Sequence, residues 1–278
     1  MKIKKYALLG LSSALAFTSI FALASCGDNR KNVDFKDYKN EVTEDKYDAV
    51  DDIIDDINIE NKSFIYEYYT YFKSNEVKND VDYYNNISEY ELLEYDYNND
   101  ICSVIFEEHS DQYTNSTEGK ADYKIKNQIQ KDEDNNNNKY YAFDLNTKYY
   151  QETSESVSSY MRISDFDDFI PSKFDKFDED KHFIDDNVYT VTFKAKNNSN
   201  SKITYNNLDG KIQFYKDGNT YYYAYYLTFV ESTVVNNVLN EETFLYEGFA
   251  KLDICDVSIK RLSKDNYTLG SIDYYSYI

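Results

Sequence analysis

Lys211-Ile-Gln-Phe-Tyr-Lys-Asp-Gly-Asn-Thr-Tyr-Tyr-Tyr-Ala-Tyr-Tyr-Leu-Thr-Phe-Val230 is the stretch that decides the fold. Ile212 and Phe214 alternate with Lys211 and Gln213, and a second apolar, β-prone run begins after Asp217-Gly218. Only an extended strand sends successive side chains to opposite faces. Asp-Gly between two such runs is the turn chemistry of a type I′ hairpin. Working outward, Asn187–Lys196 alternates Val188, Thr190 and Thr192 with Tyr189, Val191 and Phe193, and Thr243–Ile259 is a further long β-run. Upstream, Phe64–Phe72, Ser88–Tyr97, Ile101–Glu107 and Asp122–Gln130 have the same period of two. Lys139–Leu145 and Lys148–Glu152, separated by Asn146-Thr147, read as another aromatic hairpin, and the tail Tyr267–Ile278 as an edge strand.

Two stretches break that period. Tyr47, Val50, Ile53, Ile54 and Ile57 form one apolar stripe at helical spacing, so a helix is expected from Thr43. Between Thr153 and Asp178, Phe166 and Phe169 share one helical face and Phe174 and Phe177 another after Pro171, the only proline, which predicts two short kinked helices inserted into the sheet. The expected class is therefore α+β, mainly β: a long antiparallel sheet with an N-terminal helix and a helical insertion covering one face.

The N-terminus is an address. Lys2, Lys4 and Lys5 precede an uncharged run from Ala7 to Ala24, and Leu23-Ala24-Ser25-Cys26 ends it before a polar chain begins at Gly27-Asp28. A positive head, an apolar body and a small-residue exit make an export signal. Leu23, Ala24, Ser25 and Cys26 resemble the bacterial lipobox, in which the cysteine sulfur receives a diacylglycerol and becomes the new N-terminus. The resemblance implies a lipoprotein held at the outer face of the bacterial cell membrane through lipid on Cys26. Several acyl chains on one cysteine anchor stably where one is marginal. The expected organisation is a signal peptide over residues 1–25, a flexible tether over 26–42 and a single β-rich extracytoplasmic domain over 43–278.

Composition narrows the function. The net charge of −21 becomes −24 once the three leader lysines are removed. So acidic a body repels nucleic acid phosphates. With 32 Tyr and 17 Phe the chain is nevertheless expected to fold. Cys102 and Cys255 sit in strand-like runs and read as two buried thiols, with a disulfide, which an exported compartment permits, as the alternative. Asp51, Asp52, Asp55 and Asp56 lie off the helical stripe with no binding-loop glycine, so they read as a solvated face rather than a metal site. Asp132, Asp134 and Asn136 begin like a calcium loop, but the loop glycine is missing and Phe143 stands where the bidentate acid belongs. No nucleophile elbow, phosphate loop, paired-His zinc motif or Cys-x-x-Cys is present. No enzyme, metal or cofactor is expected.

The order of elements, carried by the Tyr140–Glu152 hairpin, the Phe166–Phe177 insertion and the Lys211–Val230 hairpin, resembles the half-barrel lipoprotein carriers, the group of the bacterial lipoprotein localisation factor and the mycobacterial-type lipid-binding lipoproteins. That resemblance implies a curved half-barrel sheet enclosing an apolar cavity, with Phe166, Phe169, Phe174 and Phe177 in its lid. The implied function is binding or carriage of a lipid or other apolar or amphipathic ligand. The alternative is a surface interaction or adhesion protein with no small-molecule ligand.

Overall fold

The Lys211–Val230 hairpin lies inside one 13-stranded sheet. The computed structural model describes residues 30–43, 57–78, 81–114, 117–132, 139–154, 157, 171–196, 203–235 and 238–272, and all of these beyond residue 31 belong to the unit Asn32–Ile278. In chain order the strands are β1 (Glu41–Val42), β2 (Phe64–Lys78), β3 (Val81–Asp96), β4 (Ile101–Thr114), β5 (Thr117–Lys131), β6 (Tyr140–Asp144), β7 (Tyr149–Thr153), β8 (Phe177–Asp185), β9 (Val188–Ala195), β10 (Ile203–Asp217), β11 (Thr220–Val235), β12 (Val238–Asp253) and β13 (Thr268–Leu269). Their spatial order is β1-β8-β9-β10-β11-β12-β2-β3-β4-β5-β6-β7-β13. Two antiparallel meanders, β2–β7 and β8–β12, thus meet at a seam where β12 pairs with β2. Among the described strands only β13, on β7, is parallel.

The turn between β10 and β11 departs from the expected type. Asp217 pairs with Thr220, which makes Gly218-Asn219 the two-residue loop. Gly218 has φ +58° while Asn219 is not among the residues of positive φ. A positive φ at the first central position alone is the type II′ pattern.

Register divides the side chains between two faces. On the core face, cross-strand rows run Tyr223–Ala250–Tyr68–Glu91–Phe106–Ile125 and Tyr225–Gly248–Thr70–Glu89–Glu108–Tyr123 across β11, β12, β2, β3, β4 and β5. The main core lies here, where Phe64, Tyr66, Leu93, Ile129, Phe214, Leu227, Phe229 and Leu252 are almost wholly buried. Each such side chain contributes about 1.5–3 kcal/mol on burial. Gly248 is required by its neighbours, because a Cβ there would lie 2.6 Å from Tyr225 Oη and 2.6 Å from the Tyr69 carbonyl oxygen. The missing side chain lets the Tyr225 ring lie across β12.

The opposite face carries a smaller core of Tyr69, Tyr71, Tyr222, Ala224, Leu245 and Phe249. Two extended straps cross it. Along the N-terminal one, Val33 and Phe35 pack on this core, and Gln213 Oε1 accepts from Lys36 N at 2.6 Å while its Nε2 donates to Lys36 O at 3.0 Å. Farther on, Asp185 accepts from the backbone N–H groups of Lys39 and Asn40, and β1 pairs with β8. The C-terminal strap, residues 254–263, is held alike: Gln130 accepts from Leu262 N and donates to Leu262 O, both at 2.9 Å. Gln128 donates to Lys260 O at 3.0 Å, and Asp96 accepts from Ile259 N at 3.0 Å.

Three expectations are corrected. Among the described residues there is no α-helix, so the α+β class gives way to an all-β sheet. Where the second inserted helix was expected there is a single 3-10 turn, Ser172–Lys176, and Phe177 leaves it in an extended conformation as the first residue of β8. The Phe174/Phe177 spacing therefore does not reflect one helical face, because the turn ends between them and Phe177 already belongs to β8. The predicted N-terminal helix falls largely on 44–56 and the first inserted helix on 158–170, both outside the described residues. Finally, the part of the expected tether from Val33 to Val42 is fastened to the sheet through Gln213, Asp185 and the pairing of β1 with β8. Cys102 and Cys255 are both free thiols.

Candidate functional site

Two features of the core face are not explained by packing alone. The first is a pocket of about 350 Å³ lined by Phe174, Asp175, Phe177, Glu179, Val191, Phe193, Lys196 and Ile212. Pro171 opens the 3-10 turn above it, and Phe174 N–H donates to Pro171 O at 2.9 Å. The turn sets both phenylalanines into the core. Phe174 meets Phe193 edge-on at 4.8 Å between centroids, and Phe177 meets Tyr205 and Phe229, each at 5.1 Å. Lys176 clamps the turn to β11 through Glu231 at 3.1 Å. Val191 and Ile212 face one another across β9 and β10 and form the floor.

The pocket mouth is polar. Lys196 Nζ donates to Asp175 O at 2.7 Å. Glu179 stands 3.1 Å from His182 Nε2, and the other ring nitrogen lies 2.6 Å from Tyr189 Oη. Apolar walls with a few charged groups at the opening suit an amphipathic molecule whose polar end stays at the rim.

The second feature is acidic. Glu89 and Glu91 on β3 and Glu108 on β4 project from the core face, with Glu89 directly opposite Glu108. Glu91 is only 4 % exposed, between Tyr68 and Phe106 in its row. Desolvation pushes its carboxyl up to about 7. Desolvation, with the Glu108 charge second, also raises Glu89.

Of the residues singled out in the sequence, Phe174 and Phe177 line the pocket, while Phe166, Phe169 and the lipobox Leu23, Ala24, Ser25 and Cys26 lie outside the described residues. Among the described residues no group of three His, Cys, Asp or Glu side chains could hold a metal ion, and no helix is long and apolar enough to cross a membrane. Sequence reasoning missed Glu89 and Glu91. The signal was their parity: positions 89, 91, 93 and 95 share one face, and Leu93 and Tyr95 mark that face as buried. No family model matches the chain, and neither a curated protein nor a solved structure is similar to it.

Proposed function

We propose that the protein is an exported lipoprotein, held at the outer face of the bacterial cell membrane by lipid on Cys26, whose β-domain binds an apolar or amphipathic ligand. The pocket beneath the Ser172–Lys176 turn carries this reading. Its volume of about 350 Å³ lies within the span of small-ligand sites, and five of its eight lining residues are apolar. The leader supports the location, because its lipobox-like exit supplies a sulfur for acylation. The function is binding rather than catalysis.

Native mass spectrometry of the full-length protein released from membranes tests the binding. Wild type is expected to carry one small-molecule adduct, or to take up added dodecanoate. Ile212→Trp, which fills the floor of the pocket, is expected to do neither. An adduct-free wild type that ignores dodecanoate overturns the reading. Cys26→Ala is expected to abolish labelling by palmitate, and undiminished labelling refutes the anchor.

A further inference from the structure

We propose that the outer edge of β5, from Glu118 to Lys124, is a dimerisation strand that pairs antiparallel with the same strand of a second copy of this chain. Among the described strands, β5 pairs with β4 alone until β6 begins opposite Asn127. Every residue from Glu118 to Lys124 is exposed. Leu145 N donates to Lys126 O and Asn146 Nδ2 to Lys124 O, so the even-numbered residues of β5 turn their backbone groups away from β4. Glu118, Lys120 and Asp122 thus present N–H and C=O groups at the outer edge, where a further strand can add.

The sheet has a second long edge, and the two differ. From Ile203 to Gly210, β10 also runs past its outer neighbour, but its register slips between Asn206 and Asp209, and Asn207 has φ +52°. A bulge of that kind bends an edge away from a partner. By contrast, β5 keeps one unbroken register with β4 from Thr117 to Gln130. Its edge is straight.

Charge names the partner. Glu118, Lys120, Asp122 and Lys124 alternate in sign along one face, and 49–78 % of each side chain is exposed. An antiparallel copy related by a two-fold axis at Ala121 sets Lys120 opposite Asp122 and Glu118 opposite Lys124, and symmetry repeats each pair. Opposite charges directly across a ladder stabilise it, and like charges destabilise it. Moving the axis by one residue sets Glu118 opposite Asp122, or Lys120 opposite Lys124. Lysines on an edge ordinarily repel a second strand. Here each one meets an acid.

The other face agrees. The same register sets Tyr123 opposite Gly119. Tyr123 is 44 % exposed, and a Cβ at Gly119 would meet nothing within 4 Å. The ring of one copy has room to lie over the bare backbone of the other, a pairing that shields an edge glycine. In this register the even-numbered residues form the hydrogen-bonded pairs. Ala121 faces Ala121 as a non-hydrogen-bonded pair, with Cα atoms about 4.5 Å apart. So short a ladder makes a small interface, of the weak and transient class.

That geometry supplies the test, which depends on neither the pocket nor the anchor. Full-length protein is studied in density-matched detergent with micelles in excess. For cross-linking, Cys255→Ser removes the half-buried thiol, and Cys102 is wholly buried. Ala121→Cys is expected to give a disulfide-linked dimer on oxidation with copper phenanthroline, because a non-hydrogen-bonded pair lies within disulfide reach. Asp122→Cys, which faces Lys120 of the other copy, is expected to cross-link at least about tenfold more slowly. Sedimentation equilibrium reads the charges. Wild type is expected to dimerise, Lys120→Glu and Asp122→Lys each to weaken the dimer about tenfold, and the double variant to restore it. The proposal is overturned by wild type that stays monomeric at about 0.5 mM. It is equally overturned if Asp122→Cys cross-links as fast as Ala121→Cys, or if the double variant is as weak as the single ones.

Discussion

A single carboxyl on the core face, that of Glu91, makes stability depend on pH in a direction opposite to that of most acidic groups. Its ordinary value near 4.5 is pushed up to about 7 by desolvation. The folded state therefore holds the proton more tightly than the unfolded chain does. The resulting stabilisation is complete below about pH 4.5 and is lost as pH rises through about 7. At about 1.4 kcal/mol per unit, the full swing is on the order of 3 kcal/mol. Glu91→Gln removes the ionisation, so it is expected to match wild type at pH 4 and to exceed it by up to about 3 kcal/mol at pH 8 in denaturant melts. Equal stabilities at both pH values would rule this out. Asp96 behaves in the ordinary sense. Burial opposes its ionisation, but hydrogen bonds from Asn99 and the Ile259 N–H outweigh that and hold it below the usual carboxylate range.

Among the elements, the two straps depend on glutamines that imitate a neighbouring strand. Gln213 and Gln130 each engage both the N–H and the C=O of one strap residue, Lys36 and Leu262. Replacing either glutamine by Leu leaves those two backbone groups without their partners, at about 1–3 kcal/mol each way. Gln213→Leu is expected to lower the melting temperature and to raise amide exchange specifically near Lys36, and Gln130→Leu to do the same near Leu262. Exchange that rises uniformly over the whole sheet would refute the local clamp.

These clamps also mark where the sequence stops being legible. Strand centres such as Tyr221–Val230 announce themselves by aromatic residues in both pleats. The outer parts of β2 and β4, Ser74–Lys78 and Glu108–Thr114, are polar, so the expected strands Phe64–Phe72 and Ile101–Glu107 end short of the observed ones. The strap Val33–Val42 is hard to read because its apolar packing on the smaller core is limited to Val33 and Phe35, while much of the rest of its attachment runs through the buried Gln213 and the more exposed Asp185 side chain. The 3-10 turn at Phe174 is legible as a break in the β-pattern but not as a turn, since of the two phenylalanines at helical spacing one sits in the turn and the other already in β8. Phe174 and Phe177 of the pocket are visible in that way. Its floor, Val191 and Ile212, depends on register between β9 and β10, which local pattern does not carry.

For the whole molecule, edges and seam follow from the strand order. The outermost members, β1 and β13, are two residues each, while β5 from Thr117 to Lys126 and β10 from Ile203 to Gly210 run past β6 and β9 and pair with a described strand on one side alone. Among the long strands the sheet is otherwise a succession of local neighbours, and the pairing of β12 with β2, which sets Asp253 opposite Ile65, joins the two ends of that succession. Gly248→Ala wedges a methyl group into that seam against Tyr225 and the Tyr69 carbonyl, and overpacking of this kind costs typically about 1–3 kcal/mol. In stopped-flow experiments the loss is expected mainly as faster unfolding, with the folding rate little changed. A variant whose folding slows by the full amount would place the seam in the nucleus instead.

The join between the first and last long strands has a temporal meaning. Each hairpin can close within microseconds once its own residues exist, but β2 has no permanent companion on one side until the final long strand arrives. For all that interval the flank of β2, rich in tyrosine, is an open invitation to other chains. If the chain is exported, as proposed, and crosses unfolded, this flank stays uncovered until the residues of β12 have crossed, and a chaperone that shields it would act in that interval.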